Sequence, residues 1–364
     1  MKSYTKAELA VILLDFYEGL EYKHKSAILS LYQDKSELFI APEKMFDYVA
    51  KNISESAVLT IKNSLLTADY QEYVLNKLET RGITAITFVS QNYPAIFANL
   101  PSLPLVIYAI GNVELLNAEQ TFGIVGSRKT LPFVLKRGEE IAEKLSNSGV
   151  VIVSGSAVGG DRSALLGALS SGNVISVLAS GHDLVSPQSN RDLVNKVAQN
   201  GLVISEYPPE TQSAPWRFPM RNRLISALSD GVLILSGASD SGTKYTAKFA
   251  EAYSKRIYAI PYSIGERTGE ICNMLIKMGK AQLVENAEDI ALAEGIELEN
   301  GMPIDLEQEE IEVLSVMDGE THIDQITLKS GKKSYEVTSI LAMLEIKGAV
   351  ARCANNCYIS LIKL

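Results

Sequence analysis

The chain has 364 residues, of which 46% are hydrophobic and 21% are charged. This length suits two or three domains, and the composition excludes a disordered, collagen-like or coiled-coil protein. No stretch approaches about 18 consecutive apolar residues, and acidic residues interrupt the apolar pattern of the N-terminus. The sequence therefore predicts no membrane span, no signal peptide and a cytoplasmic location. Its three cysteines fit neither a disulfide framework nor a zinc site, so we interpret them as free thiols.

The net charge of −9 is unevenly distributed along the chain. Residues 1–120 carry a net charge of −4, residues 121–290 carry +2 and residues 291–364 carry −7. An acidic total argues against a generic nucleic-acid binder, so the positions of the positive groups are more informative than their sum. Only the middle segment is not acidic, and its positive groups cluster in loops.

The first 120 residues are predicted to form two parts. Residues 1–80 show helical patterns separated by short polar breaks, which predict a small helical domain. Residues 81–120 contain two strand-like runs separated by prolines. We interpret this second part as a connector that packs on the next domain.

A different pattern occupies residues 121–292. Short β-branched runs alternate there with amphipathic stretches, which predicts an α/β domain with a doubly wound, mostly parallel Rossmann-like sheet. The predicted strands are residues 122–126, 150–155, 173–179, 202–205, 231–236, 256–260 and 282–284. Ligands of such sheets bind outside the carboxyl ends of the strands, so the loops that follow these strands are the candidate sites.

The end of the chain is predicted to be a linker and a last small domain. Residues 293–304 are acidic and are interpreted as the linker. Over residues 305–364, three helical patterns precede two strand-like runs around an Asn355-Asn356 turn. Three helices followed by a hairpin predict a winged helix.

The first loop after a strand has the composition of a phosphate site. Gly126 ends the first strand and is followed by Ser127, Arg128 and Lys129. Free backbone N–H groups, a hydroxyl and a guanidinium are the donors that bind phosphate. The alternative is a tight turn that carries a solvated basic pair.

The second loop is rich in glycine. It opens with Ser154 and Gly155, where we expect the backbone to approach a phosphate closely because glycine has no side chain. Asp161 is expected to cap the following helix by accepting from its N–H groups. The loop matches neither GxGxxG nor GxxxxGK[ST], so nothing in it supports ATP hydrolysis.

The stretch from 216 to 223 combines aromatic and basic residues at a predicted helix start. Pro219 suits the first helical turn, so Arg221 and Arg223 are expected in that turn, where the helix dipole already makes the potential positive. Stacking rings beside phosphate donors hold single-stranded nucleic acid without base readout. The predicted phosphate contacts are Arg217, Arg221, Asn222 and Arg223, and the predicted stacking residues are Trp216 and Phe218. The alternative is that the rings are core and the arginines pair with Glu206 and Asp230.

A fourth loop follows the predicted strand at 231–236. It places hydroxyls, a glycine and two lysines at a helix start, which is another anion-binding pattern. The predicted phosphate contacts are Ser241, Gly242, Thr243, Lys244 and Lys248. Four such loops at the same edge of one sheet indicate a single site.

Five motifs in this order resemble those of the DprA family of DNA-processing proteins, also called Smf. They are G-S-R at 126–128, S-G-x-A-x-G-x-D at 154–161, S-E-Y-P-P at 205–209, F-P-x-R-N-R-x-I at 218–225 and S-G-[ST]-x-x-T-A at 241–247. The resemblance implies binding of single-stranded DNA and loading of the RecA recombinase onto it in natural transformation and homologous recombination. It also implies a homodimer through the Rossmann-like domain and a SAM-like N-terminal helical domain. We expect no cofactor, no metal and no enzymatic activity.

The chain departs from the family pattern in the second loop. The family usually has an arginine, an isoleucine and a nearby histidine where this chain has Val158, Gly160 and Leu165. One positive contact is therefore missing, and the affinity for DNA or the DNA path is expected to differ.

Two other functions fit parts of the sequence. Nucleotide phosphoribohydrolases of the lysine-decarboxylase-like type have a related fold, but Thr246 stands where their catalytic glutamate is, and this removes the acid-base group. A winged-helix transcription regulator fits the last domain, but the negative charge of that domain would repel duplex DNA. His182 is interpreted as a hydrogen-bonded loop residue, so no Ser-His-Asp arrangement is supported.

Overall fold

The computed structural model describes residues 3–299 and 306–362. The chain divides into two compact units, Met1–Leu298 and Glu299–Leu364. The predicted linker begins within the first unit, because Glu294 ends a helix and Leu298 packs against the core of that unit. The rest of that linker, from 300 to 304, lies outside the described residues. Within the described ranges, no helix is long and apolar enough to cross a membrane.

The elements of the first unit alternate as the sequence predicts from residue 121 onward. Its helices are α1 (Lys6–Phe16), α2 (Tyr22–Ser30), α3 (Glu37–Ile40), α4 (Glu43–Asn52), α5 (Glu55–Lys62), α6 (Ala68–Thr80), α7 (Ala95–Ala98), α8 (Pro132–Asn147), α9 (Gly160–Ala168), α10 (Arg191–Asn200), α11 (Arg217–Leu228), α12 (Thr243–Ala252), α13 (Glu270–Lys277) and α14 (Ala287–Glu294). Its strands are β1 (Thr84–Thr87), β2 (Val106–Gly111), β3 (Thr121–Val125), β4 (Val151–Ser154), β5 (Val174–Val177), β6 (Leu202–Ser205), β7 (Gly231–Ile234), β8 (Arg256–Ala259) and β9 (Gln282–Leu283).

These strands form one sheet, in the order β1-β2-β6-β5-β4-β3-β7-β8-β9 among the described residues. All neighbouring pairs from β6 to β9 in this order are parallel, which confirms the predicted doubly wound α/β fold. The chain moves outward in one direction from β3 to β6 and in the other from β7 to β9. The reversal of strand order therefore lies between β3 and β7, and this is the position where such sheets bind ligands.

The segment predicted as a connector does more than pack on the sheet. Its strand β2 pairs antiparallel with β6, with Tyr108 opposite Ser205, and β1 pairs antiparallel with β2. Both strands therefore extend the sheet by its own hydrogen-bond ladder. This also covers the β6 edge, which would otherwise expose unpaired backbone groups.

The N-terminal helices share a hydrophobic core with β1 and β2. A buried polar cluster joins the two parts: the Tyr108 hydroxyl donates to Asp15 Oδ2 at 2.8 Å, and Lys25 Nζ lies 4.0 Å from Asp15 Oδ1. Burial raises the pKa of Asp15, and the charge of Lys25 and the Tyr108 hydrogen bond oppose that rise. The helical segment is thus an integral part of the first unit.

The second unit has the predicted winged-helix elements. These are α15 (Gln308–Ser315), β10 (Thr321–His322), α16 (Ile323–Ser330), α17 (Ser334–Ile346), β11 (Val350–Arg352) and β12 (Cys357–Ser360). Asn355 and Asn356 both have a φ of 57°, the left-handed conformation that the tight turn between β11 and β12 requires. Strand β10 is not predicted, because two residues are too few to show a periodic pattern.

Replacing Tyr108 with phenylalanine tests whether the buried cluster anchors the helical segment. The change leaves the Asp15 carboxylate without one of its buried donors, so we expect the free energy of unfolding of the first unit to fall by about 1–3 kcal/mol. Urea denaturation followed by circular dichroism measures this. Tyr22→Phe is the control, because it removes a hydroxyl that donates to Leu103 O from an exposed side chain of the same unit. Equal stability of the two variants would contradict the anchoring role.

Candidate nucleic-acid interface

A cavity of about 500 Å³ opens where the strand order reverses. It lies at the carboxyl ends of β3, β4, β7 and β8, so the first and fourth predicted loops meet there. The lining residues are Val125, Gly126, Ser127, Arg128, Lys129, Ala157, Asp161, Phe218, Pro219, Arg221, Asn222, Ala238, Asp240, Ser241, Gly242, Thr243, Thr246, Arg267 and Thr268.

The β3 loop is shaped by a close contact between two backbones. A Cβ on Gly160 would lie 2.4 Å from the Cα of Gly126, so neither position accommodates a side chain without displacement of the backbone. The Ser127 carbonyl accepts from Gly160 N at 3.2 Å, which ties the β3 loop to the start of α9. The loop then leaves Arg128 and Lys129 exposed at the cavity.

Arg128 and Phe218 form the charged and flat surfaces of the cavity. The Arg128 guanidinium carbon lies 5.4 Å from the centre of the Phe218 ring, within the range of a cation–π contact. No carboxylate of the described residues forms an ion pair with Arg128 or Lys129 at 4.0 Å or less. The cavity therefore has two positive charges without an ion-pair partner in the described part of the chain, beside a partly exposed ring.

The floor of the cavity is a buried ion pair between Asp161 and Arg221, with Asp161 Oδ2 3.6 Å from Arg221 Nη2. The Asp161 carboxylate also accepts from Gly126 N at 3.3 Å and from Ala157 N at 3.4 Å. Arg221 donates to the Val177 carbonyl at the end of β5. Burial raises the pKa of Asp161, and the positive charge of Arg221 is the main opposing influence. The pair joins the ends of three strands to α11.

This ion pair overturns two expectations for the second loop. Gly155 is buried, and a Cβ there would lie 2.1 Å from Asp161 Oδ2, so the missing side chain makes room for the ion pair rather than for a phosphate. Ser154 is also buried, and its hydroxyl donates to Ile124 O at 2.6 Å. Asp161 accepts from loop N–H groups instead of capping α9, whose N-cap is Gly159.

Arg223 does not lie at the cavity, contrary to the prediction. Helix α11 begins at Arg217, before Pro219, so Arg221 and Arg223 fall beyond its first turn and point into the protein. Arg223 is only 4% exposed and forms an ion pair with Glu206, the pairing that the sequence left open as the alternative. Burial raises the pKa of Glu206, and Arg223 opposes that rise.

Trp216 and Arg217 lie outside the residues that line the cavity. The Arg217 guanidinium carbon is 4.6 Å from the Tyr207 ring centre and 5.1 Å from that of Trp216, and Arg217 Nη1 donates to Gln212 O. Trp216 is 60% exposed, so it is not part of the core. Of the two predicted stacking residues, the structure brings only Phe218 to the cavity.

The fourth loop contributes its hydroxyls but not its lysines. Ser241 Oγ and Thr243 Oγ1 lie 2.8 Å apart at the start of α12, whereas Lys244 and Lys248 are not among the residues that line the cavity. The Thr246 hydroxyl is buried and has no hydrogen-bond partner in the part of the chain that the structure describes. A polar atom of this kind is normally satisfied by water or a ligand.

Sequence reasoning missed Arg267, which lines the cavity from the loop after β8. Its Nη2 lies 3.8 Å from Asp240 Oδ2, and both side chains are about three-quarters exposed, at 75% and 77%. The sequence predicts the strand before this loop, and ligands of such sheets bind outside the carboxyl ends of the strands, so this loop has the same signal as the others. His182 lies elsewhere, with Nε2 2.8 Å from Tyr108 O, and burial lowers its pKa to about 4.

Comparison with known protein families gives two matches along the chain. Residues 84–294 match the family described as DNA recombination-mediator protein A, and residues 301–356 match the DprA winged helix domain. The chain belongs to the DNA recombination-mediator protein A family. The first match contains every strand of the main sheet and every residue of the cavity.

Relatives in this DprA family include both sequences and solved structures. DNA processing protein DprA of Bacillus subtilis is 34% identical over 218 residues, which cover 60% of this chain and 73% of that protein. The X-ray structure of DprA from Streptococcus pneumoniae is similar with a TM-score of 0.66 and 27% identity, covering 82% of this chain and all of that one. A structure of the Helicobacter pylori protein, which concerns its single-stranded DNA binding mode, has a TM-score of 0.54 and 30% identity, covering 59% of this chain and 97% of that one.

Gly155→Ala tests the structural role of the Asp161–Arg221 pair. The added methyl group would collide with both partners, with its carbon 2.1 Å from Asp161 Oδ2 and 2.4 Å from Arg221 Nη1. Separating a buried ion pair leaves an uncompensated charge, so we expect the variant to lose about 3–5 kcal/mol of unfolding free energy in urea denaturation. Gly242→Ala is the matched control at the same cavity, because nothing lies within 4 Å of its added Cβ. If both variants are as stable as the native chain, the pair does not hold the cavity floor.

Proposed function

We propose that this chain binds single-stranded DNA at the cavity between β3 and β7. The observation that carries the proposal is the position of Arg128 above the Phe218 ring, beside Lys129, with no direct carboxylate partner for either cation among residues 3–299 and 306–362. Cations beside an aromatic face are the combination that holds a nucleic-acid backbone and stacks an unpaired base. The Helicobacter pylori relative, whose single-stranded DNA binding mode has been studied, supports the same ligand class.

The lining residues divide between two kinds of contact. Phosphate oxygens would accept hydrogen bonds from the charged and polar donors, and one base would stack on Phe218. Duplex DNA keeps its bases stacked within the helix and offers no free base face to this ring. The proposed phosphate donors are Ser127, Arg128, Lys129, Asn222, Ser241 and Thr243.

We also propose that the protein acts as a recombination mediator in the cytoplasm and loads RecA onto the bound strand, without catalysis of its own. The family description supports the mediator role. The carboxylates that line the cavity support the absence of catalysis, since Asp161 is held by Arg221 and two backbone N–H groups and Asp240 is exposed. The buried Thr246 offers no acid-base group in place of the phosphoribohydrolase glutamate.

A homodimer through the Rossmann-like domain is part of the proposal. Strand β9 is an edge strand of the sheet, and both of its residues are exposed. Met274 and Met278 are exposed at α13, immediately before β9, and Leu283 is exposed on β9 itself. Exposed methionine and leucine beside an unpaired strand edge fit association with a second copy of the chain.

Two substitutions separate the charge contacts from the stacking contact. Arg128→Ala should weaken binding of oligo-dT severalfold and reduce the slope of log affinity against log salt by about 0.7, because one fewer counterion is released. Phe218→Ala should cost about 1–3 kcal/mol with the salt slope unchanged, since stacking releases no counterions. Fluorescence anisotropy at several salt concentrations measures both quantities.

The control for these titrations is Lys136→Ala. It removes one positive charge from an exposed side chain of α8 that is not among the cavity residues. Its affinity and salt slope should match those of the native chain. If Arg128→Ala and Phe218→Ala also bind normally while folded, the DNA lies elsewhere and the proposed site is wrong.

The dimer proposal predicts that Met278→Glu separates assembly from DNA binding. A charge at this position would have to be desolvated between two copies, which disfavours the dimer. The molar mass measured by light scattering should therefore fall from twice the chain mass to the mass of one chain, 39.6 kDa. Stimulation of RecA filaments on DNA coated with single-strand binding protein should fall, with oligo-dT affinity per chain retained. Leu59→Glu, which also adds a charge at an exposed leucine, is the control. A native chain that is monomeric at micromolar concentration would contradict the proposal.

A further inference from the structure

The loops after β7 and β8 form one rim of the cavity. Gly237 N donates to Thr268 O at 2.6 Å, and Ile271 N donates to Gly237 O at 2.9 Å. Glu270 Oε2 accepts from Ser239 N at 2.9 Å. These contacts hold the two loops together, so the backbones that carry Asp240 and Arg267 stay next to each other at the cavity.

The cations of the cavity differ in how firmly they are held. Arg221 is buried and fully committed to Asp161 and the Val177 carbonyl. Arg128 has no carboxylate partner in the described ranges. Arg267 is intermediate, since its contact with Asp240 is 3.8 Å long and both side chains are largely exposed. Exposed ion pairs of this kind contribute little to stability, so Arg267 can leave Asp240 for a stronger partner.

The acidic residues near Arg267 also differ in the hydrogen bonds that they accept. Glu266 accepts from Thr268 N at 3.0 Å and from the Thr268 hydroxyl at 2.8 Å, and Glu270 accepts from Ser239 N. Hydrogen bonding to the backbone lowers the pKa of both carboxyl groups. Both carboxylates are therefore occupied by hydrogen bonds within the two loops. Asp240 accepts no hydrogen bond from the described residues and pairs with Arg267 alone.

We propose that Asp240 is a built-in competitor of the DNA for Arg267. When a strand binds, the Arg267 guanidinium leaves Asp240 and pairs with a phosphodiester group, which it matches with two parallel hydrogen bonds. Asp240 then faces a phosphate of the same charge. This inference rests on the proposed function of the cavity, and it assigns to the Asp240–Arg267 pair the control of how tightly the strand is held.

The consequence of this competition is a weaker complex than the cations alone would form. A protein that passes its DNA strand to a recombinase has to release that strand. A carboxylate of the protein that pairs again with one arginine favours this release. The pair thus adjusts affinity through a side chain that the DNA need not contact.

The test is a double-mutant cycle in the full chain, with labelled oligo-dT titrated at several salt concentrations. Asp240→Asn should bind about fivefold more tightly than the native chain. Arg267→Ala should bind severalfold more weakly, with a salt slope smaller by about 0.7. In the Arg267→Ala background, Asp240→Asn should gain only about twofold, because no pair remains to be broken and only repulsion is removed.

Glu251→Gln and Lys280→Ala are the charge-matched controls. They change another exposed pair, with Lys280 Nζ 2.6 Å from Glu251 Oε1, which is not among the cavity residues. Both should leave the affinity unchanged within about 1.5-fold, which is about 0.2 kcal/mol. A comparable effect from these variants would mean that net charge, not competition at the cavity, causes the change.

The outcomes distinguish this inference from the function on which it rests. If the native chain does not bind oligo-dT, both the proposed function and this inference are wrong. If the native chain binds but Asp240→Asn binds no more tightly, the competition alone is disproved. An equal gain from Asp240→Asn with and without Arg267 would also overturn it, since that result means simple repulsion.

Discussion

The buried ion pair between Asp161 and Arg221 is the interaction on which the cavity depends. Its carboxylate accepts hydrogen bonds from N–H groups of the loops after β3 and β4, and its guanidinium donates to the carbonyl at the end of β5. One contact network thus fixes three strand ends and helix α11 relative to one another. Gly155 is part of the same constraint, because only a residue without a side chain leaves space for both partners.

This pair also determines where usable positive charge lies. Because Asp161 neutralises Arg221 in the floor, the cations available to a ligand are those at the exposed side of the cavity, Arg128, Lys129 and Arg267. A chain with a net charge of −9 can in this way present a local positive surface to an anion. The acidic groups elsewhere would oppose non-specific adhesion to DNA outside the cavity.

Helix α11 couples the stacking surface to the floor. Phe218 lies in its first turn and Arg221 one turn later, so the ring is positioned by the same helix that the ion pair anchors. Arg128 reaches the ring from the β3 loop, whose path is set by the contact of Gly126 with Gly160. Charge and aromatic face are therefore held together by the ion pair and by the contact between the two glycine backbones, which favours a preorganised site.

Strand periodicity and glycine-rich strand ends are local properties, so the sequence alone predicts the parallel strands β3 to β9, the helices and hairpin of the winged helix, and the loops after β3 and β7. It does not predict that β1 and β2 join the sheet, because β2 pairs with β6, which lies far from it in the sequence. Which arginine faces the cavity depends on tertiary packing. Arg221 and Arg223 are two residues apart on one helix, yet one lines the cavity and the other is buried away from it. Their partners Asp161 and Glu206 come from distant parts of the chain, and the pairing of charges across such separations depends on how the helix packs on the sheet, which no local pattern encodes.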